Sequence, residues 1–196
     1  MTERFDNYHF TMLRPAFERA VAKGCYDHPA DGLAVEPVVS TPETYLPLLQ
    51  RFGGPWGWDR RPKYRDLDYI ARRLAEAETR VLAFREAGRE IGFAMTGRPA
   101  GGFEARFAAA HGRPVAEIEN IALHPAETGE GKGRWFLGAL LRRLFADHSA
   151  VCLASRSTNH AGVPRFYRRM GFTLAHTERG LPDDLTPANG PACRVA

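Results

Sequence analysis

An apolar, alternating stretch from Val115 to Leu123 runs through His124-Pro125 into the loop TGEGKG, residues 128–133, and straight on into a helical pattern. The spacing predicts a helix from Arg134 to about Asp147, with Leu137, Leu140, Leu141, Leu144 and Phe145 on one face. A strand that delivers the chain to glycines at the start of an amphipathic helix restricts the fold to those that lay helices on a sheet. It also presents several backbone N–H groups to an anion, where the helix dipole adds favourable potential. Two common phosphate motifs are excluded by spacing. Gly129, Gly131 and Gly133 read GxGxG rather than GxGxxG, and Gly-Lys is followed by Gly133 rather than by Ser or Thr. An ordinary flexible connection is the bland alternative.

The rest of the chain fills in a mixed architecture. A short helical pattern from Phe17 to Lys23 ends at Gly24, and the first thirty residues carry little other signal. Strand Leu33 to Val39 precedes a helix start at Ser40-Thr41-Pro42-Glu43 that leads through Tyr45 to Phe52, where Gly-Gly-Pro stops it. An aromatic and basic loop, Trp56 to Arg61, leads to a helix carrying Leu67, Ile70, Ala71, Leu74 and Ala75. Strands Arg80 to Phe84 and Glu90 to Thr96 pair through the turn Glu86-Ala87-Gly88-Arg89. Residues 97–114 interrupt the pattern as an insertion with Gly- and Pro-rich flanks, in which Phe103 to Ala110 suits a helical turn or two. Strand Ala150 to Ala154, a loop, a helix with Val163, Phe166, Tyr167 and Met170 on one face, and a strand from Phe172 complete the order. The expected fold is α/β: one mixed central sheet flanked by helices on both faces, with residues 1–196 as a single domain.

Charge and cysteine content narrow the function classes. Lys and Arg outnumber Asp and Glu by 27 to 23, a net +4 that suits an anionic ligand without the dense charge of a nucleic-acid-binding arm. Three cysteines, Cys25, Cys152 and Cys193, form no CxxC pair, which argues against a disulfide framework and a zinc site and for a reducing, cytoplasmic setting. No apolar run has the length of a membrane span. Neither metal, nucleic acid nor membrane is expected as a partner.

The strand EIENIALHP, the loop TGEGKGR, the helix WFLGALLRRLF and the later TNHAGVPRFYRRMGF together resemble the GNAT superfamily of acyl-CoA-dependent N-acetyltransferases over roughly Thr79 to His176. In that family's pattern an Arg or Gln, two residues, Gly, one residue and Gly or Ala follow one another. Gly131 and Gly133 fill the glycine places, whereas Thr128 stands where Arg or Gln is usual, which removes a side-chain contact. The resemblance implies acetyl-CoA as co-substrate. Its pantetheine would run beside Ile121, Ala122 and Leu123, with its amides on Leu123, and its pyrophosphate would lie on Thr128, Gly129, Glu130, Gly131, Lys132, Gly133 and Arg134. Lys132 and Arg134 either add charge to the phosphates or are solvated basic residues. Asn159 holds the cofactor or caps a turn, and His160 is an alternative proton carrier.

Acetyl transfer to an amine needs a base for the amine and an acid for the departing thiolate. Glu117 and Glu119, two apart on a strand, share a face if the strand is unbroken. The resemblance implies a general-base glutamate at Glu117, but the family's strand carries a bulge here, so either residue qualifies. It implies that Tyr167 protonates the thiolate; the same spacing also suits a core tyrosine. Trp56, Trp58 and Arg60 either clamp an aromatic, cationic or carboxylate-bearing acceptor or plug the edge of the domain. Residues 97–114 cover the same cleft or make a homodimer contact. The expected function is acetylation of a primary amine on a small molecule, and a non-catalytic CoA or acyl-CoA sensor or scaffold is the alternative.

Overall fold

The computed structural model describes residues 4–28, 31–58, 61–156 and 162–182. Seven strands form one sheet: β1 (Arg4–Leu13), β2 (Leu33–Val38), β3 (Arg80–Glu86), β4 (Arg89–Gly97), β5 (Val115–Leu123), β6 (Ala150–Arg156) and β7 (Thr173–Pro182). Their spatial order is β2-β3-β4-β5-β6-β1-β7, antiparallel throughout except for the parallel pair β5 and β6. The sequence signal missed β1. Tyr8, Phe10 and Met12 do alternate, but the partners that make this segment a strand, β6 and β7, lie some 140 to 170 residues further along the chain. The expected turn at residues 86–89 is present, with Ala87 at φ 48° and Gly88 at φ 80°, the left-handed pair a tight hairpin requires.

Helices cover both faces. On one, α1 (Arg14–Ala22), α5 (Lys132–Asp147) and α6 (Val163–Arg169) bury Phe17, Phe136, Leu137, Leu140, Leu141, Phe145 and Tyr167 against Phe10, Met12, Phe84 and Ile118 of the sheet. Gly138 of α5 lets Tyr26 lie on the helix, since a Cβ there would stand 2.5 Å from the Cβ of Tyr26. On the other face, α2 (Pro42–Leu48) and α3 (Leu67–Ala75) bury Tyr45, Leu48, Ile70 and Leu74 against Val81, Phe93 and Met95. The helix expected to reach Phe52 changes character after Leu48. Pro47 has no N–H to donate, and Leu49–Gly53 continues as a wider π-turn. The interruption at residues 97–114 contains α4 (Gly102–His111), which covers β5 and β6 through Phe107 and Ala108 on Val115, Ala150 and Cys152.

One irregularity matters for the site. On β4 and β5, Met95 faces Asn120 while Thr96 faces Ile118, so Glu119 is one residue more than β4 can match. Ile118 packs in the α5-side core and Ala122 in the α2-side core, whereas Ile121 returns to the α5 side. The bulge therefore leaves Glu117, Glu119, Asn120 and Ala122 all directed toward α2, α3 and α4.

Candidate active site

The parallel pairing of β5 with β6 runs only from Val115 opposite Ala150 to Ile118 opposite Leu153. Beyond that the strands part, leaving Glu119–Leu123 and Ala154–Arg156 without each other. A cleft of about 1990 Å³ enters this gap, lined by both parted edges, the glycine loop, α6 and the turns before α3 and α4. Ile121, Ala122 and Leu123 line it. His124 N donates to Ile91 O on β4 at 2.9 Å, so the neighbouring carbonyl of Leu123 turns into the cleft. That carbonyl already accepts the indole Nε1 of Trp56 at 3.1 Å.

At the glycine loop, Gly131 has φ 86° and caps α5, which starts at Lys132, two residues earlier than the spacing predicts. The N–H groups of Gly129 to Gly133 make no hydrogen bond among the described residues, leaving five donors clustered at the helix start. A Cβ on Gly133 would touch only the Leu123 side chain, at 3.6 Å, so the loop surface is open there. Over Gly131 the position is closed, with Arg134 and His28 each 3.0 Å from where a Cβ would stand. Thr128, Gly129, Glu130, Gly131, Gly133 and Arg134 line the cleft. Lys132 does not: its ammonium is held by Glu127, Glu86 and Glu130 at 2.9, 3.0 and 3.2 Å. The Thr128 hydroxyl donates to Pro125 O at 2.7 Å. Asn159 and His160 lie outside the described residues, as do Arg60 and Cys193.

The two glutamates of β5 differ sharply. Glu119 is saturated: Arg73 donates to it through Nε and Nη2 at 3.0 and 2.9 Å, Tyr69 Oη donates at 3.0 Å, and Lys63 Nζ is 3.9 Å away. Glu117 has no cation in contact among the described residues. It accepts the Ala100 N–H at 3.3 Å. Burial pushes its carboxyl up to about 8, helped by the negative charges of Glu119 and Glu104, while Lys63 and Arg73 act in the opposite sense. A carboxyl with that value exchanges protons near neutral pH.

Tyr167 lies among Phe10, Phe166 and Phe172, and burial raises its phenol above the ordinary value. The hydroxyl makes no hydrogen bond among the described residues, and the residue lines the cleft. It is both a core residue and part of the cleft lining. On the acceptor side, Trp56 and Trp58 both line the cleft. Trp58 is 7% exposed, packs on Tyr64 and Phe93, and leaves its buried Nε1 without a partner among the described residues. Arg61 stands 5.8 Å over its ring.

Several cleft residues carried no signal in the sequence. Lys63, Tyr69 and Arg73 read as parts of a basic loop and an amphipathic helix, yet together they hold Glu119. His9 of β1 and Glu104 of α4 are 3% and 5% exposed and hydrogen-bonded at 2.6 Å through Nδ1, with Glu178 of β7 on the other ring nitrogen at 3.2 Å. Alternation along β1 sets His9 with Asn7 and Thr11 on the face opposite Phe10 and Met12, so nothing in the sequence marks it as buried. Nothing local marks Glu104. Among the described residues no cluster of His, Cys, Asp and Glu suits a metal ion, and no helix is long and apolar enough to cross a membrane.

The structure resembles that of a functionally unknown conserved protein from Staphylococcus epidermidis, with a TM-score of 0.57 at 12% identity over 89% of this chain and 60% of that one. A GCN5-related N-acetyltransferase from Kribbella flavida gives 0.56 at 16% identity, over 94% and 59%. The CoA complex of aminoglycoside N-acetyltransferase AAC(6')-Iy gives 0.51 at 18% identity, over 76% and 91%. The chain thus spans about six tenths of the length of the first two. No curated protein matches the sequence. A profile of the acetyltransferase (GNAT) family matches residues 44–172, about two thirds of the chain, and the chain belongs to that family.

Proposed function

We propose that this chain transfers the acetyl group of acetyl-CoA to a primary amine of a small molecule, with Glu117 as general base and Tyr167 as general acid. What supports the reading most is one coincidence. The parted strands, the unpaired N–H groups of Gly129, Glu130, Gly131 and Gly133, an unneutralised carboxyl and an unpaired phenol all belong to the lining of a single cleft. The donor set fits the cofactor: Gly129 to Gly133 offer N–H groups to a pyrophosphate, Arg134 adds charge beside Gly131, and the Ile121 to Leu123 edge offers backbone partners to an amide-bearing arm. Lys132 is engaged by carboxylates and has no part in this assignment. A thioester bound there supplies an activated acetyl group.

The chain's own residues do the rest. An amine with a reference value near 10.4 arrives protonated, and ionised Glu117, on the face shared with Trp58, Tyr64 and Tyr69, takes its proton. Glu119 is fully engaged by Arg73, Tyr69 and Lys63 and serves to hold α3 on the bulge. The Tyr167 phenol stays protonated at any physiological pH and donates to the thiolate as it leaves. A neighbour of the same fold is named for aminoglycosides, amine-bearing small molecules, which is in keeping with the acceptor class. Residues 1–196 act as one catalytic domain in this reading, with residues 97–114 closing the acceptor side.

Tyr167→Phe tests it. The variant is expected to keep acetyl-CoA affinity and lose on the order of a hundredfold in turnover, the usual contribution of a positioned acid. Equal turnover removes Tyr167 from the chemistry. Acetyl-CoA binding without turnover on any amine in the wild type supports the sensor or scaffold reading instead.

A further inference from the structure

The chain His9, Glu104 and Glu178 joins three elements that have nothing to do with the glycine loop, and it lines the same cleft as Glu117. His9 stands on β1, the strand inserted between β6 and β7. Its Nδ1 meets Glu104 Oε1 at 2.6 Å, its Nε2 meets Glu178 Oε2 at 3.2 Å, and Asn7 Nδ2 lies 3.1 Å from the same Nε2. Phe103 and His176 pack against its ring at 5.2 and 5.6 Å. Burial works against a charged imidazole here, but the hydrogen bond and charge of Glu104, with Glu178 behind, outweigh it and raise His9 above its ordinary value.

Glu104 sits in the first turn of α4. Two residues ahead of that helix, Ala100 donates its N–H to Glu117, so one short segment holds both carboxyls. Both line the acceptor cleft together with His9 and Glu178. Lys63, from the turn before α3, lines the same cleft and Arg73 of α3 stands outside its lining, and both are bound to Glu119. On β6 the Cys152 thiol is buried with Val115, Phe107 and Ala108 outside the cleft lining, and burial and the charges of Glu117 and Glu104 push it far up. Glu104 is thus the carboxyl facing Glu117 whose cation comes from outside the α3 side. A buried pair of this kind costs desolvation and is poor evidence of stabilisation, so a second role is called for.

We propose that the Glu104, His9 and Glu178 chain fixes the charge that faces Glu117, with His9 and Glu104 acting as positioning residues for the base. This rests on Glu117 being that base. A purely structural latch on α4 and an electrostatic role make different demands. Cutting the same bond from its two ends has one structural consequence but opposite electrostatic ones. Glu104→Gln removes a negative charge beside Glu117 and eases its ionisation, whereas His9→Gln removes the balancing positive charge and hinders it.

The titration of Glu117 is read directly, without turnover, by carbon-13 NMR of the full chain carrying carboxyl-labelled glutamate, with the resonance identified by its loss in Glu117→Gln. The expected result is a midpoint lowered by on the order of one pH unit in Glu104→Gln, raised by a similar amount in His9→Gln and kept in Glu104→Asp, which retains the charge. Midpoints that stay in place, or that move the same way in both Gln variants, overturn the proposal. If one Gln variant does not fold, the sign of the other against Glu104→Asp still decides. In the acetyltransferase reading the acidic limb of kcat/KM follows the same midpoints. Shifted midpoints without any turnover would remove that reading and leave the electrostatic one standing.

Discussion

Replacing Glu117 by Gln should make the protein slower and, at alkaline pH, more stable. The carboxyl titrates at about 8 in the folded chain against 4.5 ordinarily. Between those values the native state binds a proton that the unfolded chain does not, so stability falls as pH rises from 4.5 to 8 and is flat beyond. The full difference corresponds to about 5 kcal/mol, an upper limit for a partly buried group reached by some water. Glutamine keeps the acceptor for Ala100 N–H and has no charge to desolvate. Glu117→Gln is therefore expected to unfold at a temperature higher than the wild type at pH 9, by up to roughly 10–20 °C at 2–4 °C per kcal/mol, and at about the same temperature at pH 4.5. Calorimetry or circular dichroism at the two pH values reads this. In turnover, wild-type kcat/KM should rise about tenfold per pH unit below 8 and level off above, while the variant loses about 10²–10⁴-fold. Equal differences in unfolding temperature at both pH values would refute the reasoning, because they would mean that Glu117 ionises as readily folded as unfolded.

Two further substitutions test the rest of the cleft and its support. Trp56→Phe frees the Leu123 carbonyl, so acetyl-CoA should bind several-fold tighter if the indole competes with its amides, the scale of one net hydrogen bond; unchanged affinity in calorimetric titration would show that the carbonyl is not used. Gly138→Ala drives a Cβ to 2.5 Å from the Cβ of Tyr26, and the variant should lose about 1–3 kcal/mol in denaturant unfolding; wild-type stability would mean that Tyr26 is free to move.

What the sequence disclosed was whatever depends on local order. The stripe Leu137, Leu140, Leu141 and Phe145 is buried as its period requires, and the loop before it caps a helix at Gly131. Glu117 and Glu119 do share a face, because the bulge comes between Ile118 and Asn120 and turns Asn120, not Glu119, out of the alternation. What stayed hidden depends on partners distant in the chain. Glu117 and Glu119 are indistinguishable by spacing, and only Arg73, Tyr69 and Lys63, some fifty residues earlier, separate a saturated carboxylate from an unneutralised one. Lys132 looked suited to phosphate until Glu86, on the neighbouring hairpin, came within 3.0 Å. β1 has too little local pattern to announce itself, and without it neither His9 nor its tie to Glu104 can be foreseen.

Calorimetric titration of acetyl-CoA into the wild type and into Gly131→Val tests the central claim, that the cleft between β5 and β6 holds the acyl donor. Gly131 has φ 86°, and Arg134 and His28 crowd its free side, so a branched residue must disturb the loop that carries the five donors. One-to-one binding by the wild type, weakened at least tenfold in a Gly131→Val protein with wild-type circular dichroism, is the expected result. No heat from the wild type at millimolar acetyl-CoA would contradict it.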